Sequence, residues 1–210
     1  AVTDAMSSGI PIIAIDTGVS GADVTSFVAT DNYAVAKVQG AIAATLVNDG
    51  DTVIYVTGNQ AQSTGQERRN GFMEAFSAAR PGSKILEVPT EWNSQQAQEG
   101  VEAVINSNSD VKMVVNAWDG GTMGAKAALE NLGYSAGDVK LVGFDGASDA
   151  IAAMDEGWVH ADTAQMLYQM GYQGIKAASA AARGETVSSR IDTGFFLVTP
   201  STSGVYKKMV

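Results

Sequence analysis

The chain has 210 residues, 45% hydrophobic and 17% charged, the balance of a globular protein of one or two domains with a sizeable core. With 13 basic residues against 23 acidic ones and a formal charge of -10, nucleic acid is excluded as a partner, because phosphate backbones need clustered Lys and Arg. The absence of cysteine removes disulfides, thiolate catalysis and thiolate metal sites, and no apolar run reaches membrane-spanning length.

Residues 1–6 place Val2, Ala5 and Met6 on one face ahead of Ser7, Ser8 and Gly9, the pattern of a helix's last turns; with neither an initiator Met nor a leader, the chain reads as processed or truncated upstream. Residues 10–15, IPIIAI, form a buried strand ending on Asp16 and Thr17 before a turn through Gly18 and Gly21. Residues 25–29 are a second strand, ending on Thr30, Asp31 and Asn32. Asn32 caps a helix that carries Val35, Val38, Ile42 and Leu46 at helical spacing and stops at Gly50. Residues 52–56 form a strand ending at Thr57, Gly58 and Asn59, and a helix over 65–79 buries Phe72 and Phe76. Residues 84–88 form the next strand, ending on Glu91, Trp92 and Asn93, where Asn93 and Gln96 have capping-box spacing.

Residues 111–115 form a strand that stops at Trp118 and Asp119, and a glycine-rich helix follows to Gly133. The stretch VKLVGFDG, residues 139–146, is a strand buried on both faces, after which glycines turn the backbone sharply and leave Phe144 and Asp145 at its carboxyl end. Ser148 caps a short helix. Residues 159–164 form a strand finishing on Gln165, a helix over 167–183 presents Gly171, Gly174, Ala178 and Ala181 for close packing, and residues 190–198 are the last strand. This alternation predicts an α/β fold with a mainly parallel sheet and helices on both faces.

In such sheets ligands bind at the carboxyl ends of the strands. Those ends supply Asp16, Asn59, Trp92, Trp118, Asp119, Phe144, Asp145 and Gln165, and the helix after Asn59 adds Arg68. Flat aromatics and hydrogen-bonding groups, with no nucleophile among them, suit a small polyhydroxylated ligand. A sugar's C–H faces lie on Trp or Phe while its hydroxyls pair with carboxylates, Arg, Asn and Gln. Taken singly, Trp92 or Trp118 reads equally as core packing, Asp145 as a turn residue and Arg68 as a solvated helix charge.

Other motifs fall short. The loop GNQAQSTG lacks the Lys of a phosphate-binding loop, and Asn106, Asn108 and Asp110 lack the Gly and distal Glu of a calcium loop. His160 sits within a strand, where a lone His is ordinarily packed.

IPIIAIDT, FVATDN, ERRNGF, the aspartate after VVNAW, VGFDG and DTAQ stand in an order and spacing that resembles the type I periplasmic sugar-binding proteins of ABC importers, typified by ribose-binding protein, and the related effector domains of lactose-repressor-like regulators. The resemblance covers essentially the whole chain. It implies two α/β lobes that close on one sugar, the first from residues 1–30 and 166–192, the second from 31–165 and 193–210, with hinge crossings near 30–32, 162–165 and 192–194. Asp16 and Thr30 would face the ligand from the first lobe, and Arg68, Trp92, Trp118 and Asp145 from the second, with Phe144 and Gln165 nearby. Trp118 stands where the family commonly has Asn, and Thr17 where ribose binders have Arg, so ribose itself does not follow. Family members begin with further strand–helix units, so the resemblance implies a fragment whose N-terminal part belongs to the same gene product or to a separate polypeptide.

The resemblance implies an exported periplasmic or extracytoplasmic protein that binds a monosaccharide or sugar alcohol, needs no cofactor and delivers its ligand to a membrane permease. The alternative is a transcription regulator's effector core, disfavoured by the acidic balance. A third class, a glycoside hydrolase using Asp119 and Asp145, is disfavoured by the sparseness of carboxylates.

Overall fold

The structure, a computed structural model, describes residues 1–210. The first part of the chain comprises α1 (Val2–Ser7), β1 (Ile13–Ile15), β2 (Ser26–Ala29), α2 (Asn32–Leu46), β3 (Thr52–Val56) and α3 (Ser63–Ala79). Next come β4 (Lys84–Val88), α4 (Ser94–Ser107), β5 (Val111–Asn116), α5 (Asp119–Asn131), β6 (Lys140–Asp145) and α6 (Ser148–Asp155). The last are β7 (Val159–Gln165), α7 (Leu167–Ala182), β8 (Arg190–Asp192), β9 (Phe195–Val198) and α8 (Ser203–Tyr206).

The strands make two sheets. The larger has the order β4-β3-β5-β6-β7-β9 and is parallel except where β9 runs antiparallel to β7. Its strands read TVIYV and VKMVVN because both faces are covered: β3 is buried at every position. Right-handed crossovers put α2 and α3 together on one face and α4, α5 and α6 on the other. Tyr55 of β3 stacks on Phe72 at 4.4 Å between ring centres and Phe72 on Phe76 at 5.2 Å, fastening α3 to the sheet. Each such buried ring stabilises the fold by about 1.5–3 kcal/mol. The smaller sheet, β1-β2-β8, is parallel and packs against α7.

The chain passes between the sheets three times: after β2, after β7, and between β8 and β9. The first and third passages lie side by side, joined by Thr30 Oγ1 to Thr193 Oγ1 at 3.5 Å and by the Asp31 N–H donating to Asp192 Oδ1 at 3.2 Å.

Several local expectations are corrected. The buried strand expected over 10–15 shortens to β1, whose outer edge is unpaired, leaving Ile10 and Ile15 exposed. The single last strand is two strands in different sheets, broken at Gly194, where φ is +72°. Asp31, not Asn32, caps α2, its carboxylate accepting the Ala34 N–H at 3.0 Å, so Asn32 becomes the first helical residue. Ser148 is likewise the first residue of α6 and not its cap. The face of α7 that packs is Met170, Gly174 and Ala177, while Gly171 and Ala178 are exposed. Asn93 does cap α4, accepting from the Gln96 N–H, but Gln96 reaches back to the Glu91 N–H instead of closing a capping box.

Candidate functional site

The carboxyl ends of β1, β4, β5, β6 and β7 meet the start of α3 around a cavity of about 300 Å³. β1 delivers Asp16 and Thr17, the α3 entry Gln62, Thr64 and Arg68, and β4 to β7 deliver Trp92, Trp118, Asp145 and Gln165. That volume lies at the lower end of the roughly 300–1,000 Å³ of small-molecule sites.

Arg68 organises the polar end. Its side chain is only 3% exposed, its Nε donates to Asn32 Oδ1 at 2.8 Å, and its Nη1 donates to Ala117 O at 2.6 Å and to Asp145 Oδ1 at 2.9 Å. The guanidinium lies 3.9 Å from the centre of the Phe144 ring and 5.7 Å from that of Trp92. Gln165 Nε2 donates to the same Asp145 oxygen at 2.7 Å, while the buried Gln165 Oε1 has no partner in the protein. A ligand hydroxyl would satisfy it. Burial raises the Asp145 carboxyl above its ordinary range, opposed chiefly by the charge of Arg68.

The apolar wall is a corner. Trp92 and Trp118 meet edge to face, 5.3 Å between centres and 88° between planes, and the Trp92 Nε1–H donates to Gln62 Oε1 at 2.6 Å. On the opposite side the Thr17 hydroxyl bonds Asp16 Oδ2 at 2.9 Å and meets the Thr64 hydroxyl at 3.2 Å, bridging the small sheet to α3. Exchanging Thr17 and Thr64 for Val, singly and together, is expected to give a coupling of about 0.5–1.5 kcal/mol in denaturant unfolding, the worth of one hydrogen bond. Strictly additive effects would show that the hydroxyls do not hold the two sides together.

Backbone geometry singles out the same place. The three non-glycine residues with positive φ are Asp16 (+69°), Trp92 (+58°) and Asp145 (+122°), and all three line the cavity. Such conformations persist only where the surroundings impose them, and they concentrate at ligand clamps.

Six of the ten residues expected from sequence therefore share one cavity: Asp16, Arg68, Trp92, Trp118, Asp145 and Gln165. The other four do not line it. Thr30 is buried in the first passage between the sheets, against Thr193. Asn59 turns its Oδ1 back to the Ala61 N–H at 2.8 Å, shaping the loop before α3. Phe144 lies fully buried beneath Arg68. Asp119, 2% exposed, accepts the Ala147 N–H at 2.6 Å. Thr17, Gln62 and Thr64 were missed as site residues, for isolated hydroxyls and amides in a turn or at a helix's entry carry no pattern that marks them; Asn32, which holds Arg68 from behind, was read only as a cap.

Comparison with known proteins gives the same direction. Residues 1–186 match the family model described as periplasmic binding protein domain. The ribose import binding protein RbsB of Escherichia coli K12 is 30% identical over 198 residues, 94% of this chain and 66% of that protein. The D-allose-binding periplasmic protein of the same organism is 31% identical, over 83% of this chain and 58% of that one. The chain thus spans about two thirds of the length of the first relative and less of the second. A crystal structure of an ABC transporter solute-binding protein from Bacillus halodurans with bound myo-inositol superimposes with a TM-score of 0.92, at 26% identity, over 100% of this chain and 72% of that one. The family-model match over residues 1–186 places this chain in the periplasmic binding protein domain family, and its fold agrees.

Proposed function

We propose that the protein is the solute-binding component of an ABC-type importer and captures a neutral monosaccharide or cyclic polyol between two lobes. The observation that carries this reading is the cavity itself. Residues of both sheets enclose a right-angled Trp pair and a polar end of Arg68, Asp145 and Gln165, which is what a ring with apolar faces and a hydroxyl rim requires. One lobe is built on residues 1–30 and 166–192 and the other on 31–165 and 193–210, and ligand contacts to both favour the closed form. The relatives named are sugar-binding and solute-binding proteins of importers and not regulators. The protein acts after export, hands its ligand to a membrane permease and performs no chemistry on it.

The greater length of the relatives fits the open edge of β1. That edge leaves Ile10 and Ile15 exposed, and strands paired to it in a longer polypeptide would cover them. Calorimetry on the full-length polypeptide with D-ribose, D-allose and myo-inositol tests the reading. Asp145→Asn is expected to weaken binding by about tenfold to a hundredfold, the loss of a charge-assisted bond. Full-length protein that binds no neutral sugar or polyol, or Asp145→Asn with undiminished affinity, removes this function or this residue respectively.

A further inference from the structure

A second carboxyl group lies behind the ligand site, in a position the site itself does not use. Asp162 stands in the middle of β7, opposite Gly143 of β6 and Val198 of β9, and is fully buried. Its Oδ2 and the Oδ1 of Asp119, the buried first residue of α5, flank the same spot over Gly143. Neither Asp162 oxygen has a hydrogen-bond partner in the protein. A side-chain Cβ on Gly143 would overlap one oxygen of each carboxyl, so this glycine leaves the room in which they meet. Two bare carboxylates in such a place would repel strongly, and a shared proton removes the repulsion.

Asp119 grips one short loop. Its Oδ2 takes the Ala147 N–H at 2.6 Å, and the Tyr206 hydroxyl donates to Gly146 O at 3.0 Å. The residue just before that loop is Asp145, held at φ +122° with its carboxylate on Arg68 and Gln165.

We propose that Asp162 is a positioning residue for the ligand site: through a proton shared with Asp119 it fixes the 146–147 loop and thereby holds Asp145 in the strained conformation that faces the cavity. Its effect on affinity rests on the solute-binding reading above; its effect on the unliganded protein does not.

A pH dependence follows, with a definite sign. Burial lifts Asp162 from 3.8 to about 7, and burial together with the neighbouring Asp162 charge lifts Asp119 well above its ordinary value. The charged and titratable groups facing the pair are Asp145 from β6, Arg68 from α3 and Tyr206 from α8; β9, FFLV, brings none. The folded state thus keeps protons that the unfolded chain releases near pH 3.8. This stabilisation is complete below that value and is lost as pH rises through about 7.

The test compares wild type with Asp162→Asn, without ligand, between about pH 5 and about pH 9. Wild type is expected to lose thermal stability as pH rises toward about 7 and to level off above it, and to show an infrared carbonyl band of a buried protonated carboxyl that fades around pH 7. Asp162→Asn is expected to flatten the stability profile and to weaken the band. Parallel stability profiles overturn the proposal, as does a wild-type protein with no such band; should Asp162→Asn fail to fold, the wild-type band decides. With D-allose and myo-inositol as probes, the full-length protein's Kd is expected to rise above neutrality by at most about tenfold per pH unit, and Asp162→Asn to remove that slope. A slope equal in both proteins overturns the link to Asp145. If neither probe binds at any pH, the solute-binding reading fails while band and stability still judge the pair.

Discussion

Arg68→Ala is expected to lower stability by about 3–5 kcal/mol and to leave no measurable sugar binding. The side chain sits at the junction of α2, α3, β5 and β6, and its three hydrogen bonds end on Asn32, Ala117 and Asp145. Truncation strands three acceptors at once, one of them a carboxylate whose negative charge loses its main compensation. It also uncovers the face of Phe144. Urea unfolding measures the first effect and calorimetry on the full-length polypeptide the second. Arg68→Lys separates charge from shape: an ammonium restores one ion pair but cannot span the Asn32 and Asp145 directions together, so it is expected to recover part of the stability and little of the affinity. An Arg68→Ala protein with wild-type stability would show that the ion pair is a surface ornament of the cavity and not its frame.

Gly58→Ala carries the second large effect, and it is felt through Trp92. The indole lies so close over Gly58 that a methyl group there would overlap its six-membered ring. The ring has no room to retreat without leaving Trp118, with which it forms the corner, or the Gln62 carbonyl that receives its N–H. Its backbone is already in the left-handed region, so an outward swing also relieves strain. The expected result is an indole turned to solvent, read as a red shift in tryptophan emission, and an affinity loss of about 2–4 kcal/mol, the usual cost of losing a buried aromatic anchor. Unshifted emission with intact binding would mean that the corner tolerates the methyl group and that Gly58 serves only the turn.

Where the sequence was most informative, the physical signal was strong and local. VGFDG announced a doubly buried strand ending on a carboxylate, and ERRNGF placed Arg68 one turn into a helix entering from the same edge. The break between β8 and β9 was hidden because residues 190–198 are extended on both sides of Gly194, and extension does not reveal which sheet a residue joins. Asp31 and Asn32 are equally good caps by residue type, and only the carbonyl direction of the preceding strand chooses between them. Thr30, Phe144 and Asp119 sit beside the right strand ends but are buried in the scaffold, a choice of face that strand alternation leaves open once both faces are covered, and Asn59 folds back on its own loop. The carboxyl pair was half visible: Asp119 was named as a ligand group, and Asp162 passed as one polar residue in a hinge segment, since nothing in the spacing brings positions so far apart in the chain together.

The three left-handed residues also set a conflict between two selections that a laboratory could apply. Asp16, Trp92 and Asp145 each hold a conformation that glycine adopts freely, at a cost on the order of 1 kcal/mol. Heat alone would therefore reward glycine at all three, where the backbone would relax, and each such gain would strip the cavity of a carboxylate or an aromatic wall. Robustness and recognition pull against each other at these positions, so a thermostable descendant of this protein selected without its ligand would drift toward an empty pocket.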